Sequence, residues 1–174
     1  MGDAVTARHT DIDTRLGALT LVADDAALTG IYFPGHWTKP DDTAWGERVD
    51  AAGDPVFEST RAQLEEYFDG QRTTFDVPLA PVGSEFRQRV WAVLERIPFG
   101  QTVTYGQIAA EIGGRTVAQM VGQAVGRNPV SILIPCHRVV GADGSLTGYA
   151  GGLERKLFLL ELEEPPEVAA SKLF

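Results

Sequence analysis

The sequence contains one cysteine among its 174 residues. A single cysteine excludes an intrachain disulfide and any zinc site built from several cysteines, and it is typical of proteins in a reducing compartment. The sequence also lacks a run of about 18 apolar residues, and its first ten residues have no apolar core of signal-peptide length. We therefore expect a globular cytoplasmic protein that is neither exported nor inserted in a membrane.

Acidic residues are absent from one part of an otherwise acidic chain. The net charge is −9, and residues 1–83 hold 15 Asp and Glu against 6 Lys and Arg. Between residues 112 and 142 there is no Asp or Glu, whereas Arg115, Arg127 and Arg138 are present. The overall charge argues against a polyanionic partner, but this locally basic segment could approach a phosphate backbone.

The first half of the chain has the pattern of a small mixed lobe, which we place at residues 1–80. Apolar, β-branched runs at 16–22 and 27–33 predict an antiparallel hairpin, and the apolar spacing from Pro55 predicts a helix that ends near Gly70. Alternating Phe75, Val77 and Leu79 predict an edge strand over 73–80. His9 and His36 have no ligand-like neighbours, so we expect both histidines at the surface.

The second half, residues 84–165, is predicted to be mostly helical, with a tail at 166–174. An apolar stripe predicts a helix over 85–97, and Thr104 is a good N-cap for a helix over 105–112. A glycine turn then leads to a short helix over 116–125. Two short helices joined in this way form either a helix-turn-helix, which places its second helix in a DNA groove, or an ordinary helical hairpin.

The lone cysteine lies in Ile134-Pro135-Cys136-His137-Arg138-Val139-Val140, where a thiol, an imidazole and a guanidinium are consecutive. A neighbouring base or cation lowers the pKa of a thiol and so activates it as a nucleophile. The alternative is that Cys136 is a small buried hydrophobic residue, as most free cysteines are. The flanking residues favour the nucleophile.

These residues belong to a longer pattern that resembles the O6-alkylguanine-DNA alkyltransferases. The resemblance covers about residues 55–163 and rests on Asn128-Pro129, Pro135-Cys136-His137-Arg138, Gly148-Tyr149, Gly151-Gly152, Lys156 and Glu163, with Trp91 and Thr104-Tyr105 upstream. It implies an α+β fold, with a ribonuclease-H-like N-terminal lobe of antiparallel strands plus a helix. The C-terminal lobe would be helical and contain a helix-turn-helix.

The resemblance also implies an irreversible reaction on double-stranded DNA. An alkyl group on O6 of guanine, or on O4 of thymine, would pass to Cys136 once per molecule, after the damaged base flips out of the helix. His137 would take the thiol proton, Glu163 would stabilise the imidazolium, and Tyr105 would donate a hydrogen bond to the leaving base. We expect no metal and no other cofactor, and a monomeric protein.

The same resemblance suggests residues that bind the base and the DNA. Asn128, Val139, Ala150 and Trp91 are the candidates for substrate binding. Those for DNA binding are Arg115, Ala118, Gln119, Gly122, Arg127 and Arg138. Gln119 is a departure, because many members of the family have an arginine there that fills the gap left by the flipped base; glutamine lacks the charge and the stacking plane of a guanidinium.

Three other functions remain open from the sequence. A lesion-sensing module could bind alkylguanine without transfer, but it would not need a nucleophile at position 136. A cysteine hydrolase or redox enzyme would turn over or carry a resolving cysteine. An acceptor of alkyl groups from a free base or another small molecule would suit the acidic chain and Gln119.

Overall fold

The computed structural model describes residues 7–36, 42–114 and 117–171. The N-terminal lobe is a four-stranded sheet with one helix, and the strands are β1 (Ala7–Thr14), β2 (Gly17–Asp24), β3 (Ala27–Tyr32) and β4 (Glu47–Arg48). The first three strands form an antiparallel meander, and β4 pairs in parallel with β1, giving the order β3-β2-β1-β4. The predicted hairpin corresponds to β2 and β3.

Helix α1 (Pro55–Phe68) packs its apolar face on this sheet. Asp54 caps it, since one carboxylate oxygen accepts hydrogen bonds from the backbone N–H groups of Val56 at 3.1 Å and Phe57 at 3.3 Å. Proline at the first helical position lacks only an N–H that would be unpaired there in any case. The helix ends at the predicted place and carries Tyr67 on its buried face.

The prediction of an edge strand over residues 73–80 is wrong. This segment makes only an isolated bridge from Leu79 to Leu28, with two hydrogen bonds that join Leu28 to Pro78 and Ala80. The prolines at 78 and 81 have no N–H to donate, which limits the ladder hydrogen bonds that this segment can form. The segment nevertheless covers the end of β3 and leads into the second lobe.

The C-terminal lobe contains α2 (Glu85–Glu95), α3 (Tyr105–Ile112), α4 (Ala118–Gly126), α5 (Leu153–Glu163) and α6 (Pro166–Ser171). A two-stranded parallel ladder joins β5 (Val103–Thr104) to β6 (Val139–Val140). Helices α3 and α4 form the helix-turn-helix unit, and Thr104 and Gln107 form a capping box at the start of α3. The α+β fold with two such lobes is therefore confirmed.

The two lobes share one hydrophobic core. Buried residues of the sheet, α1, α2, α4 and the 130–134 run belong to a single cluster. The backbone N–H of Ile31 in β3 donates to the carbonyl of Pro129 at 2.8 Å, so the sheet edge fixes the start of the segment that leads to Cys136.

The expectation that His36 lies at the surface is wrong. Its side chain is buried, its Nδ1 accepts a hydrogen bond from the backbone N–H of Phe33, and its ring stacks on the Phe33 ring. His9 is half-buried against the ring of Trp45. Among the residues described, no helix is long and apolar enough to cross a membrane.

Candidate active site

Cys136 opens a short 3-10 helix, Cys136–Arg138, at the end of the buried 130–134 run. Asn128 holds the turn before it, because its amide nitrogen donates to the Ile134 carbonyl at 2.7 Å and its amide oxygen accepts from the Val130 N–H at 3.0 Å. The turn brings the thiol to a buried position. A direct contact of Asn128 with a substrate stays a prediction.

Glu163, near the end of α5, is the acceptor at the centre of the site. Its Oε2 accepts hydrogen bonds from the Tyr67 hydroxyl at 2.6 Å and from Arg138 Nη2 at 2.9 Å, and it lies 2.7 Å from His137 Nε2. Its Oε1 accepts from Arg138 Nε at 2.7 Å. All four side chains are buried, so the hydrogen bonds of the carboxylate come from fixed protein donors and not from water.

The protonation of this cluster follows from those contacts. Burial by itself raises the pKa of Glu163, but the hydrogen bonds and charges of His137 and Arg138 lower it to about 2. Burial lowers the pKa of His137 against the opposing effect of Glu163. The histidine is therefore neutral at pH 7 and donates its Nε2–H to an ionised Glu163, which leaves the lone pair on Nδ1.

His137 Nδ1 is thus the basic atom of the site. It is fully buried and has no hydrogen-bond partner among the described residues. A buried imidazole whose other nitrogen is held by a carboxylate has the arrangement of a general base.

The prediction that its neighbours lower the pKa of Cys136 is wrong. Burial raises the pKa of the thiol to about 11, and the hydrogen bond with Asn128 and the charge of Lys156 oppose this only in part. Successive side chains of a 3-10 helix point about 120° apart. His137 and Arg138 both contact Glu163 directly, and the resting thiol keeps its proton.

Lys156 is a buried cation in the same region as the thiol. Its ammonium donates to the carbonyls of Val139 at 2.6 Å and Thr147 at 3.1 Å, and burial lowers its pKa. These bonds join β6 to the 145–149 segment and place a positive charge close enough to Cys136 to favour its thiolate. The sequence marked Lys156 only as part of the motif and gave it no role.

Tyr105, at the start of α3, presents a free donor. The Thr147 hydroxyl donates to the Tyr105 hydroxyl at 2.9 Å, so the hydrogen of Tyr105 points elsewhere and can reach a ligand. The side chain is half-buried, and burial raises its pKa above 10, which keeps the proton on the oxygen. Its role toward a base stays a prediction.

Two of the predicted binding residues have other roles. Arg138 is buried, and its guanidinium bonds to Glu163 and to the Ile97 carbonyl at 2.6 Å, so it cannot contact DNA. Trp91 is 1% exposed, and its indole N–H donates to the Ala124 carbonyl at 2.8 Å, which makes it a core residue between α2 and α4.

Of the other predicted binding residues that the structure describes, all are at least partly exposed except Val139 and Asn128, which are buried. Gln119 and Arg127 are exposed at the two ends of α4, Ala118 and Gly122 are half-exposed on it, and Ala150 is half-exposed before α5. Val139 is buried, and its carbonyl accepts a hydrogen bond from the Lys156 ammonium. Arg115 lies outside the described residues.

Tyr67 is the site residue that sequence reasoning missed. It belongs to α1 in the N-terminal lobe and is 96 positions from Glu163 in the chain, so no local spacing connects the two residues. Its aromatic ring packs among Phe68, Phe75 and Phe99. The N-terminal lobe thereby contributes a donor to the active site.

The described part of the chain contains no group of three or more His, Cys, Asp or Glu side chains that could hold a metal ion. The available chemistry is that of a protonated thiol, a neutral imidazole on an ionised carboxylate, and a tyrosine donor. This set suits nucleophilic attack by sulfur with proton transfer to nitrogen.

Comparison with known proteins identifies two family models that match consecutive parts of the chain. The ribonuclease-like domain of 6-O-methylguanine DNA methyltransferase matches residues 7–81, and the DNA-binding domain of the same family matches residues 85–165. Together they account for almost all of the described residues.

Similar proteins match this chain over most of their own length, and a solved structure among them has the same fold. The chain is 45% identical to a methylated-DNA–protein-cysteine methyltransferase of Mycolicibacterium paratuberculosis, over 94% of this chain and 96% of that protein. A protein of the same name from Methanosarcina acetivorans is 44% identical over 87% of this chain and 94% of its own length. The crystal structure of Mycobacterium tuberculosis OGT in complex with DNA superposes with a TM-score of 0.81 at 44% identity, covering 90% and 92% of the two chains.

Proposed function

Because the chain belongs to the family of methylated-DNA–protein-cysteine methyltransferases, we propose that Cys136 is the residue that accepts the alkyl group. The protein repairs DNA by direct reversal: it moves a methyl or other alkyl group from O6 of guanine to its own sulfur. A thioether is chemically inert, so each molecule acts once. The observation that carries this proposal is the buried His137, whose Nε2 is held by the ionised Glu163 and whose Nδ1 lone pair is available.

The transfer step balances without a cofactor. The thiol proton of Cys136 passes to Nδ1 of His137, through a bridging water because adjacent side chains of the 3-10 helix diverge. The sulfur then forms a bond to the alkyl carbon while the bond from that carbon to O6 breaks, and the electron pair stays on the guanine. The proton taken from the thiol returns to the base, so the products are an S-alkylcysteine and guanine.

Glu163 and Tyr105 stabilise the two charges that develop during this step. Glu163 lies 2.7 Å from His137 and stabilises the imidazolium, whereas Tyr105 donates its free hydrogen to the guanine as negative charge grows there. Both groups keep their required protonation at pH 7, because the pKa of Glu163 is lowered to about 2 and that of Tyr105 is raised.

The partner is double-stranded DNA from which the damaged base has been flipped, since a base in the stack cannot reach a buried thiol. Helix α4 presents Gln119 at its exposed start and Arg127 just after its end, within the segment that has no acidic residue. Backbone N–H groups at its start add a site that favours phosphate. We place the protein in the cytoplasm as a monomer.

Mass spectrometry of the intact protein tests the proposal. After incubation with a duplex that contains one O6-methylguanine, the protein gains the mass of one methyl group, and peptide mapping finds it on Cys136. Cys136→Ala binds the same duplex and gains no mass. Repeated turnover, or a methyl group on another residue, would contradict single transfer to Cys136; binding without any gain of mass would support a lesion sensor.

Gln119 supplies a test of the DNA-binding surface. We expect Gln119→Arg to bind duplex DNA more tightly, with a salt dependence that steepens by about one phosphate equivalent, because one added cation releases about one counterion. Transfer from the free base O6-methylguanine, which needs no flipping, should hardly change. The measurement is the affinity for duplex DNA at two or more salt concentrations and the transfer rate for both substrates.

Gln71→Arg is the matched control, since Gln71 is an exposed glutamine in the N-terminal lobe and the substitution makes the same change of charge. If both variants gain affinity equally, the effect comes from net charge and not from α4. If the free-base rate changes as much as the duplex rate, Gln119 contacts the reacting groups, and our placement of α4 on the DNA is wrong.

A further inference from the structure

The segment of residues 149–152 precedes α5 and closely follows residues that contact the active site. Two residues before it, the Thr147 hydroxyl donates to the Tyr105 hydroxyl at 2.9 Å and the Thr147 carbonyl accepts from Lys156 at 3.1 Å. Lys156 also donates to the carbonyl of Val139 at 2.6 Å, three residues after Cys136. The Tyr149 side chain is buried in the same hydrophobic cluster as Cys136. Segment 149–152 therefore adjoins the buried region that contains the thiol.

Within this segment, the Gly152 N–H donates a hydrogen bond to the Tyr149 carbonyl at 2.9 Å. Two of its four residues are glycines, a third glycine precedes it at position 148, and Gly152 has a φ of +93°. A glycine-rich backbone has many accessible conformations, so its position must be fixed by contacts with other parts of the molecule.

Arg155 provides the first of these contacts. Its guanidinium donates to the Gly151 carbonyl at 2.9 Å and, in the N-terminal lobe, to the carbonyls of Leu16 at 3.0 Å and Pro34 at 3.2 Å. One side chain is thus hydrogen-bonded both to segment 149–152 and to two separate points of the N-terminal lobe. The sequence gave no reason to distinguish Arg155 from other helix arginines.

Phe33 provides the second contact. A Cβ atom at Gly151 would lie 2.4 Å from a carbon of the Phe33 ring, so the backbone is pressed directly on this ring. The ring also lies 5.8 Å from that of Tyr149 and 5.2 Å from the guanidinium carbon of Arg155, and His36 stacks on it. Phe33 is 2% exposed and cannot easily move aside.

We propose that Phe33 and Arg155 form a clasp between the lobes that holds segment 149–152 close to Cys136 and limits the size of the alkyl group that the protein accepts. The inference rests on the proposed transfer to Cys136. A wall fixed at short distance fits a methyl group and excludes bulkier groups, whereas a released wall admits them. The N-terminal lobe, which contains none of the reacting atoms, thereby sets the substrate range.

The test compares two lesions in the same duplex, O6-methylguanine and O6-benzylguanine, under single-turnover conditions. The readout is the ratio of the benzyl to the methyl transfer rate, in which effects on DNA affinity cancel. We expect this ratio to rise about tenfold in Arg155→Met and in Phe33→Leu, at the lower end of the discrimination that pockets achieve between apolar groups of different size. Arg155→Lys keeps the charge but forms fewer hydrogen bonds, so its ratio should lie between those of the unmodified protein and Arg155→Met.

Arg72→Met is the matched control, because Arg72 is a half-buried arginine that also donates to a backbone carbonyl, that of Thr74 at 3.0 Å, outside the clasp. Its ratio should equal that of the unmodified protein. An unchanged ratio in both clasp variants, or an equal rise in Arg72→Met, overturns the clasp. No transfer of either group by the unmodified protein would instead overturn the proposed function, so the two failures are distinguishable.

Discussion

Glu163→Gln should slow methyl transfer by about 10²-fold, because an amide stabilises the imidazolium of His137 far less than a carboxylate does. The same change leaves the buried Arg138 without its counter-ion, and we expect the free energy of unfolding to fall by about 3 kcal/mol, as when one partner of a buried ion pair is removed. Transfer rates under single-turnover conditions and urea unfolding measure the two effects.

Two further variants separate the rate from the stability. Glu161→Gln makes the same chemical change at an exposed position of α5, and neither quantity should move. In the double variant Glu163→Gln with Arg138→Met, the unpaired buried cation is gone, so part of the stability should return while transfer stays slow. A normal rate in Glu163→Gln would remove Glu163 from the mechanism, and a rate restored in the double variant would mean that misfolding caused the loss.

The overall fold was largely predictable because it depends on local patterns. The hairpin of β2 and β3, helix α1 with its start at Pro55, and the capped helix α3 follow from hydrophobic period and turn residues. Strand β1 was missed, since Arg8, Thr10, Asp11 and Asp13 interrupt its apolar pattern and Ile12 is its one large aliphatic side chain. Its pairing with β2, and not its composition, makes it a strand.

The motif residues of the active site were predictable, but the contribution of Tyr67 and the electrostatics were not. The motif identified Cys136, His137 and Glu163, whereas the roles of Tyr67 and Arg138 depend on contacts between segments 96 and 25 residues apart in the chain. Adjacency in the sequence suggested that His137 and Arg138 act on the thiol. In the structure both side chains contact Glu163 directly, and in the proposed mechanism His137 reaches the thiol only through a bridging water.

The raised pKa of Cys136 is consistent with a protein that acts once. A thiolate exposed at neutral pH would react with any soft electrophile or oxidant and so consume the molecule. A buried thiol that keeps its proton reacts only when a substrate in the site makes proton transfer to His137 productive. The arrangement of the site thus protects the nucleophile between lesions.

This view predicts that Cys136 in the folded protein is a poor target for iodoacetamide. With a pKa of about 11 instead of 9, the thiolate fraction at pH 8 is about 100-fold smaller than for the same thiol in the unfolded chain, and the alkylation rate should be lower by at least that factor. The rate should continue to rise with pH above 9, where that of the unfolded protein in guanidinium chloride levels off. Mass spectrometry of samples quenched over time gives both profiles.

The same shift makes stability depend on pH in the alkaline range. A group whose pKa is higher in the folded than in the unfolded state stabilises the fold fully below its unfolded pKa, and this contribution is lost as the pH rises toward the folded value. The free energy of unfolding should therefore fall between pH 9 and 11, and Cys136→Ser should remove that part of the fall. An alkylation profile of the folded protein that levels off at or below pH 8 would show an ionised resting thiol, and the protection of the nucleophile by burial would then have to be abandoned.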